Sequence, residues 1–332
     1  MNFNEKKGRG LGLCSGGLDS RLAALVLRKQ GIEVEWITFT TPFFSALKAR
    51  QASRLLNIPL REKNITQIYL TMLKNPRCGF GKQMNPCLDC HALMFKEAGV
   101  IMKAEKFDFL FSGEVLGQRP MSQTKPSLRY VEKNSGFEGY ILRPLSAQKL
   151  PETIPEREGV VDRGQLLDIS GRSRKRQIQL AAEFGLKDYP APAGGCLLTD
   201  KNFSKRLKDL FKHQNQEAGE DELELLKYGR HFRVDRTIKI IVGRTKIDND
   251  HIEKHFNPER DAIIKLADYP SPTVLVTPHR RRDIIILAAS ICAGYSKVAE
   301  FTPVAASVKT PHQQESIQVI AIKPAEIQHL LI

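Results

Sequence analysis

A chain of 332 residues, 41% hydrophobic and 27% charged, has the composition of a globular protein with room for two buried cores. No apolar run approaches the roughly 20 residues that a membrane-spanning helix needs, and the stretch "MNFNEKKGRGLGLCSGG" holds no secretory-signal core, so a cytoplasmic protein is expected. There the six cysteines stay reduced, which points to metal binding or sulfur chemistry and away from a disulfide framework. A net charge of +14 implies a polyanionic partner, nucleic acid first.

Along the chain, Leu11–Cys14 reads as a short buried strand that runs into Ser15-Gly16-Gly17. From Ser20 to Gln30 apolar residues recur at helical spacing, and Gly31 is a natural stop. Ile32–Phe39 alternates like a strand, 45–57 is helical, and 58–65 is a second candidate strand. Ile65–Lys74 and Leu88–Lys106 read as helices, and 107–113 as another strand. This alternation predicts an α/β fold with a parallel sheet, whose ligand sits at the carboxyl ends of the strands. From Val115 to about Pro151 prolines and glycines predict a long functional loop. A basic helix follows over 171–186, then the turn "YPAPAGGCLLTD", and the first domain is expected to span 1–200. Over 201–332 two charged helices, the strand-like "TIKIIVGR", "TVLVT" and "SIQVIAIK" and the helical "DIIILAASICAGY" predict a smaller α+β domain.

A helix start preceded by glycines offers backbone N–H groups to an anion. Gly16 and Gly17 allow close approach to phosphate oxygens, Ser15 and Ser20 add hydroxyls, and Asp19 suits Mg2+ or a nucleotide. The lysine of the G-x-x-x-x-G-K-[ST] loop is missing, which argues against γ-phosphate transfer. "SGGLDS" instead resembles the pyrophosphate-binding loop of the ATP pyrophosphatase (PP-loop) superfamily, whose members cleave ATP between the α and β phosphates and adenylate a carbonyl oxygen. The resemblance implies an adenine nucleotide alpha-hydrolase-like domain that binds ATP and Mg2+ through Ser15, Gly16, Gly17, Asp19 and Ser20. Gly113 and Glu114, at the end of a predicted strand, are expected to line the nucleotide or RNA side of the same pocket.

"MNPCLDCH" sets Cys87 and Cys90 one helical turn apart at a helix start, where the dipole favours thiolates. "PAGGCLLTD" presents Cys196 in a second, accessible turn. The Asn-Pro-x-x-x-Cys spacing with a distant Gly-x-Cys resembles the two catalytic cysteine sites of tRNA 2-thiouridylases. By that resemblance Cys90 and Cys196 match the reactive pair, and Cys87 takes a position often filled by aspartate. "SGEVLGQRPMSQT" resembles a segment of tRNA 4-thiouridine synthetases, although the tRNA-binding domain usual ahead of their loop and a rhodanese-like domain are not seen. "YGRHFRVD…KIIVGR…PSPTVLVT…AASICAGYS" is similar to the RNA-binding module of NFACT proteins. Together these resemblances imply a tRNA sulfurtransferase that makes 2- or 4-thiouridine, supplied by sulfide or a cysteine desulfurase.

Three readings of the thiols stay open. Cys87, Cys90 and Cys196 would hold a [4Fe–4S] cluster with one open iron, which is the leading expectation. They would otherwise carry a persulfide resolved by thiol–disulfide exchange, or contribute to a zinc site, for which no convincing second ligand pair is present. Cys14 and Cys292 read as packing residues and Cys78 as a spare thiol. Arg172, Arg174, Lys175 and Arg176, with Arg280, Arg281 and Arg282, form two basic clusters expected to contact the RNA backbone. Two rivals remain: a PP-loop synthetase acting on a small carbonyl, and a non-catalytic RNA-binding protein.

Overall fold

The computed structural model describes residues 8–191, 195–213, 218–278, 281–310 and 313–332. The chain divides into two compact units, the first ending at Thr199 and the second running from Asp200 to Ile332.

In the first unit five strands form one parallel sheet: β1 (Arg9–Leu13), β2 (Glu33–Thr40), β3 (Leu60–Asn64), β4 (Phe109–Ser112) and β5 (Ile141–Leu142). Their order is β3-β2-β1-β4-β5. Between them run α1 (Leu18–Lys29), α2 (Leu47–Leu56), α3 (Thr66–Lys74), α4 (Cys87–Ala104) and α5 (Lys125–Ser135). The one-turn α6 (Ile154–Arg157) and α7 (Lys175–Glu183) follow. Leu11, Trp36 and Phe109 lie fully buried in the sheet, and Leu18, Leu22 and Leu27 bring the apolar stripe of α1 onto the same core. From β1 the path moves outward through β2 and β3, then returns to β4 on the other side of β1. The crevice that this reversal opens at the carboxyl ends of β1 and β4 is where doubly wound sheets bind ligands. Leu13 pairs with Ser112, so the two loops leave the sheet at the same level.

The stretch from Val115 to Pro151 is not one long loop. Thr124 caps α5 by accepting from the Ser127 N–H, Pro126 falls in the first turn, and Gly136 at φ +78° ends the helix. The breakers that suggested a loop stand at cap positions, where they start and stop a helix. α5 packs against α4, and β5 follows as the edge strand. The basic helix begins only at Lys175, so Arg172 and Arg174 precede it.

The second unit opens with α8 (Lys201–His213) and α9 (Glu220–Leu225). Its antiparallel sheet contains β6 (Arg230–Arg233), β7 (Lys239–Val242), β8 (Ala262–Leu266), β9 (Val274–Thr277), β10 (Val304–Lys309) and β11 (Gln314–Val319), in the order β11-β10-β8-β9-β7-β6. Helices α10 (Lys246–Lys254) and α11 (Arg282–Gly294) complete it. One face buries Ile240, Val242, Ile264 and Val276 under Ile285, Ala288 and Cys292 of α11. The opposite face packs Ile241 and Leu275 against Leu225 and Ile252. β6, β8 and β10 add to the three strands expected from sequence. In β6 the outer Arg230 and Arg233 flank buried His231 and Phe232, which hides the alternation. Among the described residues no helix is long and apolar enough to cross a membrane.

Candidate active site

The turn from β1 into α1 lies at the carboxyl edge of the parallel sheet. Gly16 has φ +71°, and a Cβ there would lie 2.2 Å from the Lys48 carbonyl carbon, so only glycine fits. Gly17 is the N-cap of α1 and supplies no side-chain acceptor, which leaves the first N–H groups of the helix to an outside anion. The Ser15 hydroxyl accepts from the Gly17 N–H at 3.3 Å, and the Ser20 hydroxyl donates to the Gly17 carbonyl at 2.9 Å. Behind the turn, buried Arg21 donates to the carbonyls of Gly16 (3.2 Å) and Asp188 (2.5 Å). Gly113, just past β4, is so close that a Cβ would stand 2.3 Å from the Asp19 carbonyl carbon.

Asp19 faces this crevice. Gln118 donates to its Oδ2 at 2.9 Å and receives a hydrogen bond from Gln177 at 3.2 Å, while Asp19 Oδ1 is buried with no partner among the described residues. Burial pushes its pKa up, against the pull of Gln118, Arg174 and Arg119. An orphaned carboxylate oxygen beside a glycine cradle and open N–H groups fits the Mg2+ and phosphates of ATP. Arg174, expected at RNA, is thus within electrostatic reach of Asp19, and its Nε is also buried without a partner among the described residues.

The three candidate thiols approach one another. Cys87 opens α4 and is half-buried, Cys90 one turn later is buried, and Cys196 is half-buried just before the turn Leu197–Thr199. That turn is pinned by the Leu197 N–H donating to the Phe43 carbonyl beyond β2 at 3.0 Å. The phenol of fully buried Tyr69, packed by Phe43 and Phe44, lies among the thiols. Burial, then Cys90, Cys196 and Cys87, raise its pKa well above the ordinary value. Burial and the neighbouring Cys196 raise Cys90, and burial pushes Cys196 up to about 11. Cys196 is therefore less accessible than its glycine-rich turn suggests. Cys14 and Cys292 are buried in packing, and Cys78 is exposed.

Among the described residues no group of three or more histidine, cysteine, aspartate or glutamate side chains is arranged to hold a metal ion. The thiols share a neighbourhood but not a coordination sphere, so as placed they do not fit the expected cluster.

A network not anticipated from sequence links the thiol helix to the strand edge. Glu114, just after β4, contacts His91 Nδ1 at 2.8 Å, Arg143 Nε at 3.0 Å and the Ser112 hydroxyl at 3.2 Å. Burial pushes its pKa up, but Arg143 and His91 overcome this and hold it at about 2. Arg143 also pairs with Glu132 of α5, and its Nη2 is buried without a partner among the described residues. His91 follows Cys90, Glu114 follows Gly113, and Arg143 follows β5, so separate elements meet at one place. A charged residue within two positions of the end of each of two apolar strands was the available signal.

The basic residues divide. Arg176 pairs with Asp168, and Arg281 with Asp283 and Asp235. Arg172 and Lys175 are exposed with no ion pair among the described residues. Arg280 lies outside the described residues.

Comparison with known proteins agrees with this geometry. Residues 5–154 match the family described as thiamine biosynthesis protein (ThiI), and residues 229–331 match the NFACT protein RNA binding domain. A probable tRNA sulfurtransferase of Finegoldia magna is 32% identical over 156 residues, covering 44% of this chain and 38% of the relative. A tRNA-specific 2-thiouridylase MnmA of Dichelobacter nodosus is 25% identical over 238 residues, covering 64% of this chain and 60% of the relative. The chain thus spans less than two thirds of either. An NH3-dependent NAD synthetase structure from Campylobacter jejuni overlays at 13% identity with a TM-score of 0.33, covering 68% of this chain and 84% of that one. The first unit thus resembles the ThiI family over residues 5–154, which include the parallel sheet and the glycine turn, and residues 229–331 of the second resemble the NFACT protein RNA binding domain.

Proposed function

We propose that the chain is an ATP-dependent tRNA sulfurtransferase that forms 2- or 4-thiouridine, with a catalytic domain over 1–200 and an RNA-docking module over 201–332. The observation that carries this reading is the meeting of Cys87, Cys90 and Cys196 around Tyr69 in the same unit as the glycine turn and Asp19. A phosphate cradle alone serves many carbonyl acceptors; three converging thiols specify sulfur.

The chemistry follows in balanced steps. The uracil carbonyl oxygen attacks the α-phosphorus of ATP, and pyrophosphate leaves toward Ser15, Gly16, Gly17 and Ser20. Asp19 has the free oxygen to hold Mg2+ against the departing charge. Gly113 and Glu114 border the pocket. A persulfide on one of the reactive pair, Cys90 or Cys196, attacks the activated ring carbon and expels AMP, leaving a cysteine–sulfur–uridine disulfide. The other thiol attacks the cysteine sulfur, releases thiouridine and closes a protein disulfide. A dithiol reductant then restores both thiols, and a desulfurase or persulfide donor reloads the sulfur. An iron–sulfur cluster as the sulfur carrier, the leading expectation from sequence, would need Cys87, Cys90 and Cys196 to draw closer than they stand, and no step is routed through it. Of the expected RNA-binding residues Arg172, Arg174, Lys175, Arg176, Arg280 and Arg281, backbone contacts to tRNA are assigned first to Arg172 and Lys175, which are exposed and unpaired among the described residues, and the setting is cytoplasmic.

The test is reconstitution with unmodified tRNA, ATP and a persulfide donor, followed by nucleoside mass analysis. Thiouridine should appear with AMP and pyrophosphate in equal amount. Cys90→Ser and Cys196→Ser should abolish thiouridine, and Cys292→Ser should not. Unchanged 2- and 4-thiouridine in a deletion strain would remove this function. Iron and acid-labile sulfide in anaerobically purified protein separate the two sulfur carriers.

A further inference from the structure

The second unit contains a cavity of about 50 Å³ bordered by Glu222, Arg233, Thr237, Lys239, Arg260 and Thr277. Its unusual member is Lys239. In β7 the side chains of Ile240 and Val242 enter the core under α11, so the alternation turns Lys239 and Ile241 to the other face. A lysine therefore occupies a position that the fold would fill with an apolar residue, and it is only 6% exposed.

The charges around it are unevenly matched. Arg233 is held by Asp209, with contacts of 2.5 and 3.2 Å. Arg260 is held by Asp261 at 2.9 Å and Glu222 at 3.2 Å. The Lys239 side chain has neither a hydrogen bond nor an ion pair among the described residues, although its backbone pairs with Arg233 and Thr277 in the sheet. Arg206, close enough to disfavour the charge on Lys239, donates through Nη1 to the Leu226 carbonyl at 2.9 Å, and its buried Nε has no partner among the described residues. The carboxylates of the neighbourhood are thus engaged by arginines, and one ammonium is left at the base of a small cavity. Burial, then Arg233, pushes the Lys239 pKa down to about 7, against the pull of Asp209 and Glu222. An isolated ammonium away from water is costly unless it is neutralised or paired. A methionine would fill the same space at no such cost.

We infer that Lys239 forms the base of an anion site in the second unit that takes a tetrahedral phosphate group. The cavity admits about four water-sized volumes, enough for such a group and too small for a nucleoside. A bound phosphate would pair Lys239 and give the orphaned Arg206 donor a counter-charge. The phosphate would come either from an RNA 5′ end or from free orthophosphate, and the inference does not depend on the sulfur chemistry proposed above.

The full-length chain, its Lys239→Met variant and its Lys239→Gln variant are titrated with inorganic phosphate by calorimetry. They are also titrated with one RNA oligonucleotide carrying either a 5′ phosphate or a 5′ hydroxyl. The wild type should bind phosphate, and both variants should bind at least about ten-fold more weakly, the loss of one charge-assisted contact. Tighter binding of the 5′-phosphorylated oligonucleotide in the wild type alone would assign the phosphate to RNA; equal binding of the two oligonucleotides would assign it to orthophosphate. Circular dichroism should show both variants folded, since neither substitution strips a partner from another group. Absence of phosphate binding in the wild type, or equal affinity in all three proteins for every probe, would overturn the inference.

Discussion

Glu114 stays ionised in a buried position because Arg143 and His91 stand on either side of it. Its pKa of about 2 lies below the ordinary 4.5, so between those values the unfolded chain binds a proton that the folded chain does not. Stability from this group is therefore complete above about pH 4.5 and is lost as pH falls toward 2, a change on the order of 3 kcal/mol. Glu114→Gln is expected to cost roughly 3 kcal/mol at pH 7, because Arg143 and His91 lose their shared carboxylate. Urea midpoints of the two proteins should converge as the pH is lowered through 4. Asp19 and the thiols were readable at this scale, since spacing carries them. Glu114 was named only as a lining residue, because its partners come from positions 91 and 143 and meet through strand pairing that no local pattern reveals.

Elements decide whether the crevice exists at all. The contact of Gly113 with the first turn of α1 leaves no room for a methyl group, which would stand 2.3 Å from backbone. Gly113→Ala should thus separate the exit of β4 from the glycine turn. A loss of about 1–3 kcal/mol is expected, together with weaker ATP binding, checked by denaturation and by nucleotide titration. β1, β2, β4 and α1 to α4 were legible because apolar residues recur along them, and β3, which is LREKN, was legible only from its place between two helices. α5 and β5 were not, since Pro126 and Gly136 were counted as breakers when they are in fact the boundaries of a helix. β6 was hidden by arginines at its ends, and Lys239 by the habit of reading a lysine as a surface residue.

For the whole molecule, the net charge of +14 announces a polyanion but does not say which cations reach it. Arg281 and Arg176 are already engaged by carboxylates, whereas Arg172 and Lys175 are exposed and unpaired among the described residues. Binding to tRNA should weaken linearly on a log–log plot against salt. Combined Arg172→Gln and Lys175→Gln changes should flatten that slope by roughly 1–2, and Arg281→Gln should leave it nearly unchanged. A salt series by filter binding or fluorescence anisotropy distinguishes the two.

The chain's single tryptophan, Trp36, is fully buried in β2 of the first unit. Indole emission therefore reports on one unit only, while far-ultraviolet circular dichroism sums over both. Denaturation followed by the two signals together needs no label to show whether the unit that holds the parallel sheet and the unit that holds the antiparallel sheet melt as one body or in sequence.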